Sequence, residues 1–267
     1  MKKSMARMKT SKKNGGEATL PYSKNGGASM KVIYKPAGKA GEYANWACNL
    51  YLGCRHSCKY CYVPLFTHQT KEGFHSTINE RKNILRLLEK DAKEAKITGI
   101  IDDNVLFCFL TDPYQPTGNL TTRKALEIMR AYDIPFTILT KGGTRAIRDF
   151  DLYSVQDCFA TTLTFVDETK TKEWEPWAES FEGRFTAIKE AKKRGIKTWV
   201  SIEPVIEPSE ALKVIWATHE YVDLYKVGKL NHYKIEVDWK KFANDVVELL
   251  EKLGKPYYIK KELAKYL

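Results

Sequence analysis

From residue 78 onward the chain alternates between two hydrophobic periods. The stretch INERKNILRLLEKDAKEAK (78–96) sets apolar side chains at Ile84, Leu85, Leu87, Leu88, Ala92 and Ala95, the spacing of a helix with one buried face. VLFCFL (105–110) is a short unbroken apolar run, as expected of a strand covered on both sides. The pattern then repeats. Helical periods fall at 122–132, 144–153, 180–195, 209–220 and 239–254, and strand-like runs at 135–140, 158–165, 197–206 and 221–228. Gly195 gives the third of these helices a stop, and Ser209 is placed to cap the fourth. With NLYLG (49–53) as a first strand, six strands alternate with helices. Such alternation predicts an α/β fold with a parallel sheet and right-handed crossovers, and six units describe an open, partial (β/α)6 barrel.

The later strands end in polar residues: Thr111 and Asp112, Thr140 and Lys141, Thr162 and Thr164, Ser201 and Glu203, Lys226 and Lys229. Parallel α/β folds build their sites at the carboxyl ends of the strands. These groups are therefore expected to converge on one mouth. Trp174, Trp177 and Tyr114 fall nearby and could either stack on a base or simply pack.

Composition adds an asymmetry. Of the net charge of +11, residues 1–45 carry +8, from ten Lys or Arg against Glu17 and Glu42. With NGG at 14–16 and 25–27 and few large apolar side chains before Val32, this segment is expected to be a basic, partly disordered N-terminal extension. Residues 46–267 are then the folded domain. A basic arm can attract a nucleic-acid backbone or merely aid solubility. No apolar run approaches the roughly 18 residues of a membrane span, and the lysine-rich start has no apolar core of a signal peptide. The expectation is a cytoplasmic protein with no membrane partner. In a reducing compartment its six cysteines read as thiols or metal ligands. Nothing in the sequence sets an oligomeric state.

The chemistry concentrates in CNLYLGCRHSCKYCYVP (48–64), where Cys54, Cys58 and Cys61 follow one another at four- and three-residue intervals. A structural zinc site would need a fourth ligand, which only His56 or His68 could supply nearby. A thioredoxin-like pair would leave Cys54 idle. Three thiolates from one loop can instead hold three irons of a [4Fe–4S] cluster and leave the fourth iron open. Cys48, Cys108 and Cys158 are expected to be structural, as small buried side chains.

The spacing of Cys54, Cys58 and Cys61, with an aromatic residue just before the last, resembles the signature of the radical S-adenosylmethionine (radical SAM) superfamily. The stretches GEYANWACNLYLGCRHSCKYCYVP, LTDPYQPTGNLTTRKALEIM, ILTKGG and WEPWAESFEGRFTAIKEAKKRGI together resemble its spore photoproduct lyase-like branch, which includes enzymes related to DNA repair photolyases. The resemblance implies that Cys54, Cys58 and Cys61 ligate a [4Fe–4S] cluster. It implies that S-adenosylmethionine chelates the open iron and that an external donor of flavodoxin or ferredoxin type reduces the cluster. A 5′-deoxyadenosyl radical would then abstract hydrogen from a nucleic-acid substrate, for lesion repair or base modification.

Residue by residue, the backbone around Tyr60 would meet the adenine, Lys141 would pair with the methionine carboxylate, and Thr111 and Asp112 would lie beside the cofactor. Thr162 or Thr164 would reach the ribose. Ser201 and Glu203 would line the same mouth, Glu203 touching ligand or pairing with Lys226 or Lys229. The superfamily's Gly-Gly-Glu after the second strand is replaced by LTDPYQP. In the lyase a cysteine ahead of the Ser-Asp pair returns the hydrogen, helped by two tyrosines that Tyr60 and Tyr62 match. Its expected position falls on Phe109, with Cys108 one residue away and of opposite parity. This favours a different substrate or hydrogen donor, while Cys108 stays a candidate. The competing reading is a metal-binding protein that grips nucleic acid or transfers electrons without radical catalysis.

Overall fold

The computed structural model describes residues 31–231, 233 and 235–267. One sheet carries the body. Its strands are β1 (Ile33–Tyr34), β2 (Trp46–Cys48), β5 (Val105–Phe107), β6 (Phe136–Thr140), β7 (Cys158–Thr162), β8 (Lys197–Val205), β9 (Leu224–Lys229) and β10 (Tyr257–Ile259), in that spatial order. All neighbours from β2 to β10 are parallel, and β1 runs antiparallel along the β2 edge. A separate ribbon pairs β3 (Tyr51–Leu52) with β4 (Asn79–Glu80). The helices are α1 (Val63–Phe66), α2 (Lys71–Ser76), α3 (Ile84–Thr98), α4 (Thr121–Ala131), α5 (Glu168–Trp174), α6 (Phe181–Lys193), α7 (Pro208–Thr218), α8 (Trp239–Lys252) and α9 (Lys261–Ala264). This is an α/β partial barrel, with β10 as a seventh parallel strand beyond the six expected.

Alternation along each strand sorts the two faces. Val105, Phe107, Phe136, Ile138, Phe159, Val200, Ile202, Tyr225 and Val227 join the main core with Leu88, Leu126, Ile188, Val214 and Val246 of the surrounding helices. Leu106, Ala160 and Trp199 form the inner layer, with Tyr43, Phe109, Leu139, Cys158 and Leu224 packed against them. Tyr43 enters from the N-terminal side and closes the inner face, its ring edge-on to Phe109 at 6.0 Å and 5.8 Å from Trp199.

Several boundaries differ from the sequence pattern for local reasons. The first parallel strand is 46–48 rather than 49–53, and the next ends at Phe107 rather than Leu110. Asn49 explains both, because its side-chain oxygen accepts the backbone N–H of Phe109 and of Leu110 at 2.9 Å each, replacing the strand ladder. Residues 143–152 form a 3₁₀ rather than an α-helix. At the start of α7 the cap is Glu207 with Pro208 in the first turn, so Ser209 lies inside the helix. Residues 31–45 of the expected extension belong to the fold. The Asp91 carboxylate accepts the backbone N–H groups of Lys31, Val32 and Ile33. Residues 1–30, with most of the extension's lysines, lie outside the described residues.

Candidate active site at the mouth of the barrel

The cysteine loop follows β3 and is fixed from three directions. Cys54 N–H donates to Phe74 O at 3.1 Å, while His75 Nδ1 lies 2.6 Å from Cys54 O. The Gln115 side chain accepts from Arg55 N–H at 2.8 Å and donates to Gly53 O at 3.2 Å. Lys59 N–H donates to Trp174 O and Trp177 N–H to His56 O. Gly53 is obligatory here. Its φ is +77°, and a Cβ would stand 2.1 Å from Thr77 O.

Asp112 is the hub behind the loop. Its Oδ1 accepts Tyr114 N–H at 2.8 Å and Thr140 Oγ1 at 2.6 Å, and its Oδ2 accepts Lys141 N–H at 2.7 Å. His56 Nδ1 approaches the same carboxylate at 3.5 Å. Burial holds the imidazole down to about 4 despite Asp112, so this contact is not an ion pair near neutrality. Asp112 thus joins the ends of β5 and β6 to the cysteine loop, with its oxygens committed to protein donors. Gly142 must lack a side chain, since a Cβ would meet Tyr114 at 2.4 Å.

A second buried group ties the loop to β7. Tyr60 OH donates to Glu175 Oε1. Glu175 Oε2 lies 2.6 Å from Arg184 Nη2, with side-chain exposures of 0 and 1%. That contact lacks the angles of a hydrogen bond, leaving both atoms without a directional partner. Arg184 also donates to Thr162 O at 2.9 Å and Glu179 O at 2.7 Å. Burial opposes the Glu175 charge, yet Arg184, Lys141 and the Tyr60 hydroxyl hold its pKa below the usual range. The sequence pattern missed Glu175 and Arg184; the signal available was an Arg on the buried face of an otherwise apolar-lined helix.

Lys141 stands with Nζ 5.6 Å from the Tyr60 ring centroid and no hydrogen-bond acceptor for Nζ among the described residues. Burial disfavours its charge, but Cys58, Glu175 and Asp112 outweigh that and raise its pKa, so it is a cation. Burial also raises the thiols. Cys54 is pushed well up with Asp112 adding, Cys58 is pushed to about 12 against the pull of Lys141, and Cys61 is raised against Val63 N–H, Lys141 and Lys71. All three are free thiols, and binding iron would release their protons.

The remaining expected residues divide. Thr111 Oγ1, past the end of β5, and Thr164 Oγ1, past the end of β7 with β6 between the two strands, are buried without a hydrogen-bond partner among the described residues, and Thr162 sits at the end of β7. Ser201 and Glu203 face inward but are held by Tyr43, whose OH lies 2.7 Å from Ser201 Oγ and donates to Glu203 Oε2 at 2.5 Å. The cation paired with Glu203 is Lys260 at 2.5 Å, neither Lys226 nor Lys229. Lys226 donates to Tyr43 O at 2.8 Å, and Lys229 contacts Tyr266 and Trp239. Cys108 lies in the helix-facing core with Cys48, while Phe109 packs on the inner layer. Tyr62 is half-exposed at the mouth. Tyr114 is buried with its OH on Asp149 at 2.8 Å, a packing role rather than a stacking one. His68 is placed with no metal partner, and among the described residues no group of three or more His, Cys, Asp or Glu could hold a metal ion. Three thiols on one loop, one for each of three irons, with the cation and the buried hydroxyls near them, fit a cluster.

A partial barrel with three free cysteines on the loop after its first strands, beside a buried cation, has the donor set and the charge to hold an iron–sulfur cluster and an anionic ligand group. The sequence pattern of the Radical SAM superfamily matches residues 48–222, and the chain belongs to that superfamily. Its cofactors are therefore a [4Fe–4S] cluster and S-adenosylmethionine. Two similar chains are uncharacterised proteins. One, from Methanocaldococcus jannaschii, is 26% identical over 70% of this chain and 71% of its own length. The other, from Acidianus two-tailed virus, is 26% identical over 85% and 83%. Among solved structures, a spore photoproduct lyase variant superposes with a TM-score of 0.67 at 14% identity, covering 87% of this chain and 79% of its own. Streptococcus suis SuiB bound to S-adenosylmethionine gives 0.61 at 12% identity, over 80% and 49%. Among the described residues no helix is long and apolar enough to cross a membrane.

Proposed function

We propose that this radical SAM enzyme acts on nucleic acid, in lesion repair or base modification, with its cluster on Cys54, Cys58 and Cys61. The carrying observation is the placement of these three free thiols on one pinned loop, with the Lys141 ammonium beside Cys58 and without an acceptor of its own among the described residues. When bound, the cluster and S-adenosylmethionine supply a carbon-centred radical that takes hydrogen from the substrate. Lys141 binds and orients the methionine carboxylate through a charge-assisted contact. The Thr111 and Thr164 hydroxyls supply hydrogen bonds to the cofactor. Tyr60, fixed by Glu175, holds the loop backbone in place. The inner layer of Leu106, Phe109, Leu139 and Trp199 excludes water from below. An external donor of flavodoxin or ferredoxin type provides the electron.

The nucleic-acid reading is supported by the net charge of +11 and by the likeness in fold to spore photoproduct lyase, which has been solved with dinucleoside spore photoproduct. Cys108 packs away from the inner layer, which supports a hydrogen donor other than this thiol, or a different lesion. The test is anaerobic turnover with deuterated DNA and RNA oligonucleotides, with and without photolesions. Deuterium in 5′-deoxyadenosine from any of them supports the reading. Transfer only from peptides or small molecules contradicts it.

A further inference from the structure

The outer face of α3 is basic. At about 100° per residue, Arg86, Lys90 and Lys93 fall within about 60° of one another, so one stripe of the helix carries all three, and Lys82 stands just ahead of the first turn. The opposite side buries Ile84, Leu88, Ala92 and Ala95. All four basic residues are exposed, and among the described residues none has an acidic group within ion-pair distance. The lysine of this helix that does pair is Lys96, with Asp133 at 2.6 Å. Glu89 and Glu94 border the stripe, and Glu89 accepts from Tyr132 OH at 3.5 Å. The stripe has a direction. Arg81 N–H donates to Leu50 O at 3.0 Å, and β3, paired with β4 just ahead of α3, leads through Gly53 into Cys54. From there α3 runs back toward the start of β5, so Lys82 stands nearest the cysteine loop. The N-terminal segment joins the fold on the same helix, where Asp91 accepts the N–H groups of Lys31, Val32 and Ile33. The residues ahead of Lys31 include seven Lys or Arg against Glu17.

We propose that this stripe is a phosphate track, which holds the phosphodiester backbone of the nucleic acid and leads it toward the mouth. The inference rests on the nucleic-acid reading above and places the strand on the enzyme. Arg86 to Lys93 spans about 10 Å of helix axis, and one strand of a duplex carries a phosphate about every 3.4 Å, so three cations meet about three phosphates. Contacts of this kind position a nucleic acid without reading its sequence, which is left to the mouth. The basic residues ahead of Lys31, tethered to the same helix, add to the attraction. A protein partner, such as an acidic electron donor, fits the face less well. Protein interfaces centre on aromatic and apolar side chains and are poor in lysine, whereas this stripe offers one exposed apolar side chain, Ile97, beyond its far end.

The test is fluorescence anisotropy of the anaerobically reconstituted full chain with a labelled DNA duplex and a labelled single-stranded RNA, across a salt series. In Arg86→Ala/Lys90→Ala/Lys93→Ala the slope of log affinity against log salt should fall by about 2.7 on the duplex, three contacts at about 0.9 each, and by about 2.1 on the single strand. Between about 50 and 200 mM salt, the parent's affinity for the duplex should therefore drop about fortyfold more than the variant's. The fall on whichever nucleic acid the parent binds supports the track. Alanine suits an exposed helix position, so cluster absorbance and dithionite-driven cleavage of S-adenosylmethionine should match the parent. Lys240→Ala/Lys252→Ala, at exposed positions of α8, should leave the slope unchanged. An unchanged slope in the α3 variant, or an equal fall per charge in the α8 variant, would overturn the track and leave the nucleic-acid reading standing. An α3 variant that binds nucleic acid as the parent does, but loses the cleavage driven by a flavodoxin, would overturn it in favour of an electron donor. A parent that binds neither nucleic acid would overturn both.

Discussion

Replacing Glu175 with Gln keeps the shape of the side chain and its hydrogen bond from Tyr60 but removes the negative charge. Arg184, 1% exposed, then loses its counter-ion, and Lys141 loses one of the carboxylates that sustain its charge. Arg184 retains its bonds to Thr162 O and Glu179 O, so the damage is electrostatic rather than a general loss of packing. Breaking a buried ion pair by removing one partner costs about 3–5 kcal/mol. With a urea m-value near the upper end for single domains, about 3 kcal/mol/M, the midpoint should fall by about 1–1.7 M. The assay is urea unfolding of the cluster-free protein followed by tryptophan fluorescence. The double variant Glu175→Gln/Arg184→Met removes both charges and should cost less than the two single changes added together, by at least about 1 kcal/mol. The pH dependence follows from the lowered folded pKa of Glu175. Its contribution is present above the unfolded carboxylate value of about 4.3 and is lost as pH falls through the folded value, so parent and variant should converge in acid. A Glu175→Gln protein within about 0.5 kcal/mol of the parent, the range of surface changes, would refute the argument that this pair anchors the loop.

Cys54→Ala, Cys58→Ala and Cys61→Ala should each lose the [4Fe–4S] absorbance after reconstitution, whereas Cys48→Ala, Cys108→Ala and Cys158→Ala should keep it, as iron and sulfide analysis would show. Lys141→Ala should keep the cluster and bind S-adenosylmethionine about ten- to a hundredfold more weakly by calorimetry, from loss of a charged contact of about 1.5–3 kcal/mol. Lys226 is held down to about 8, mainly by burial, so between that value and the unfolded lysine value of about 10.4 the unfolded chain binds more protons. Parent stability should therefore rise relative to Lys226→Met from pH 8 to 10, as paired urea titrations would detect.

The alternation of periods was enough to place the five parallel strands from β5 to β9 and most of the helices between them, because each buries its own face and the pattern is local. What the pattern left out depends on contacts between distant residues. Asn49 ends two strands by bonding residues sixty positions away, and nothing near 49 marks it. Glu203 was expected either to touch ligand or to pair with Lys226 or Lys229, and its lysine partner is instead Lys260, after a short strand at 257–259 whose three residues give too little periodicity to read. The cysteines were legible because their spacing is itself the chemistry. Glu175 and Arg184 were not, since a buried ion pair looks in sequence like two ordinary charges.

The most direct test of the central claim is reductive cleavage of S-adenosylmethionine by the anaerobically reconstituted protein. With dithionite as reductant, the account predicts a brown [4Fe–4S] protein that yields 5′-deoxyadenosine and methionine in equal amounts, and no product from Cys58→Ala. A colourless protein, or a cluster-loaded one that leaves S-adenosylmethionine intact, would contradict it.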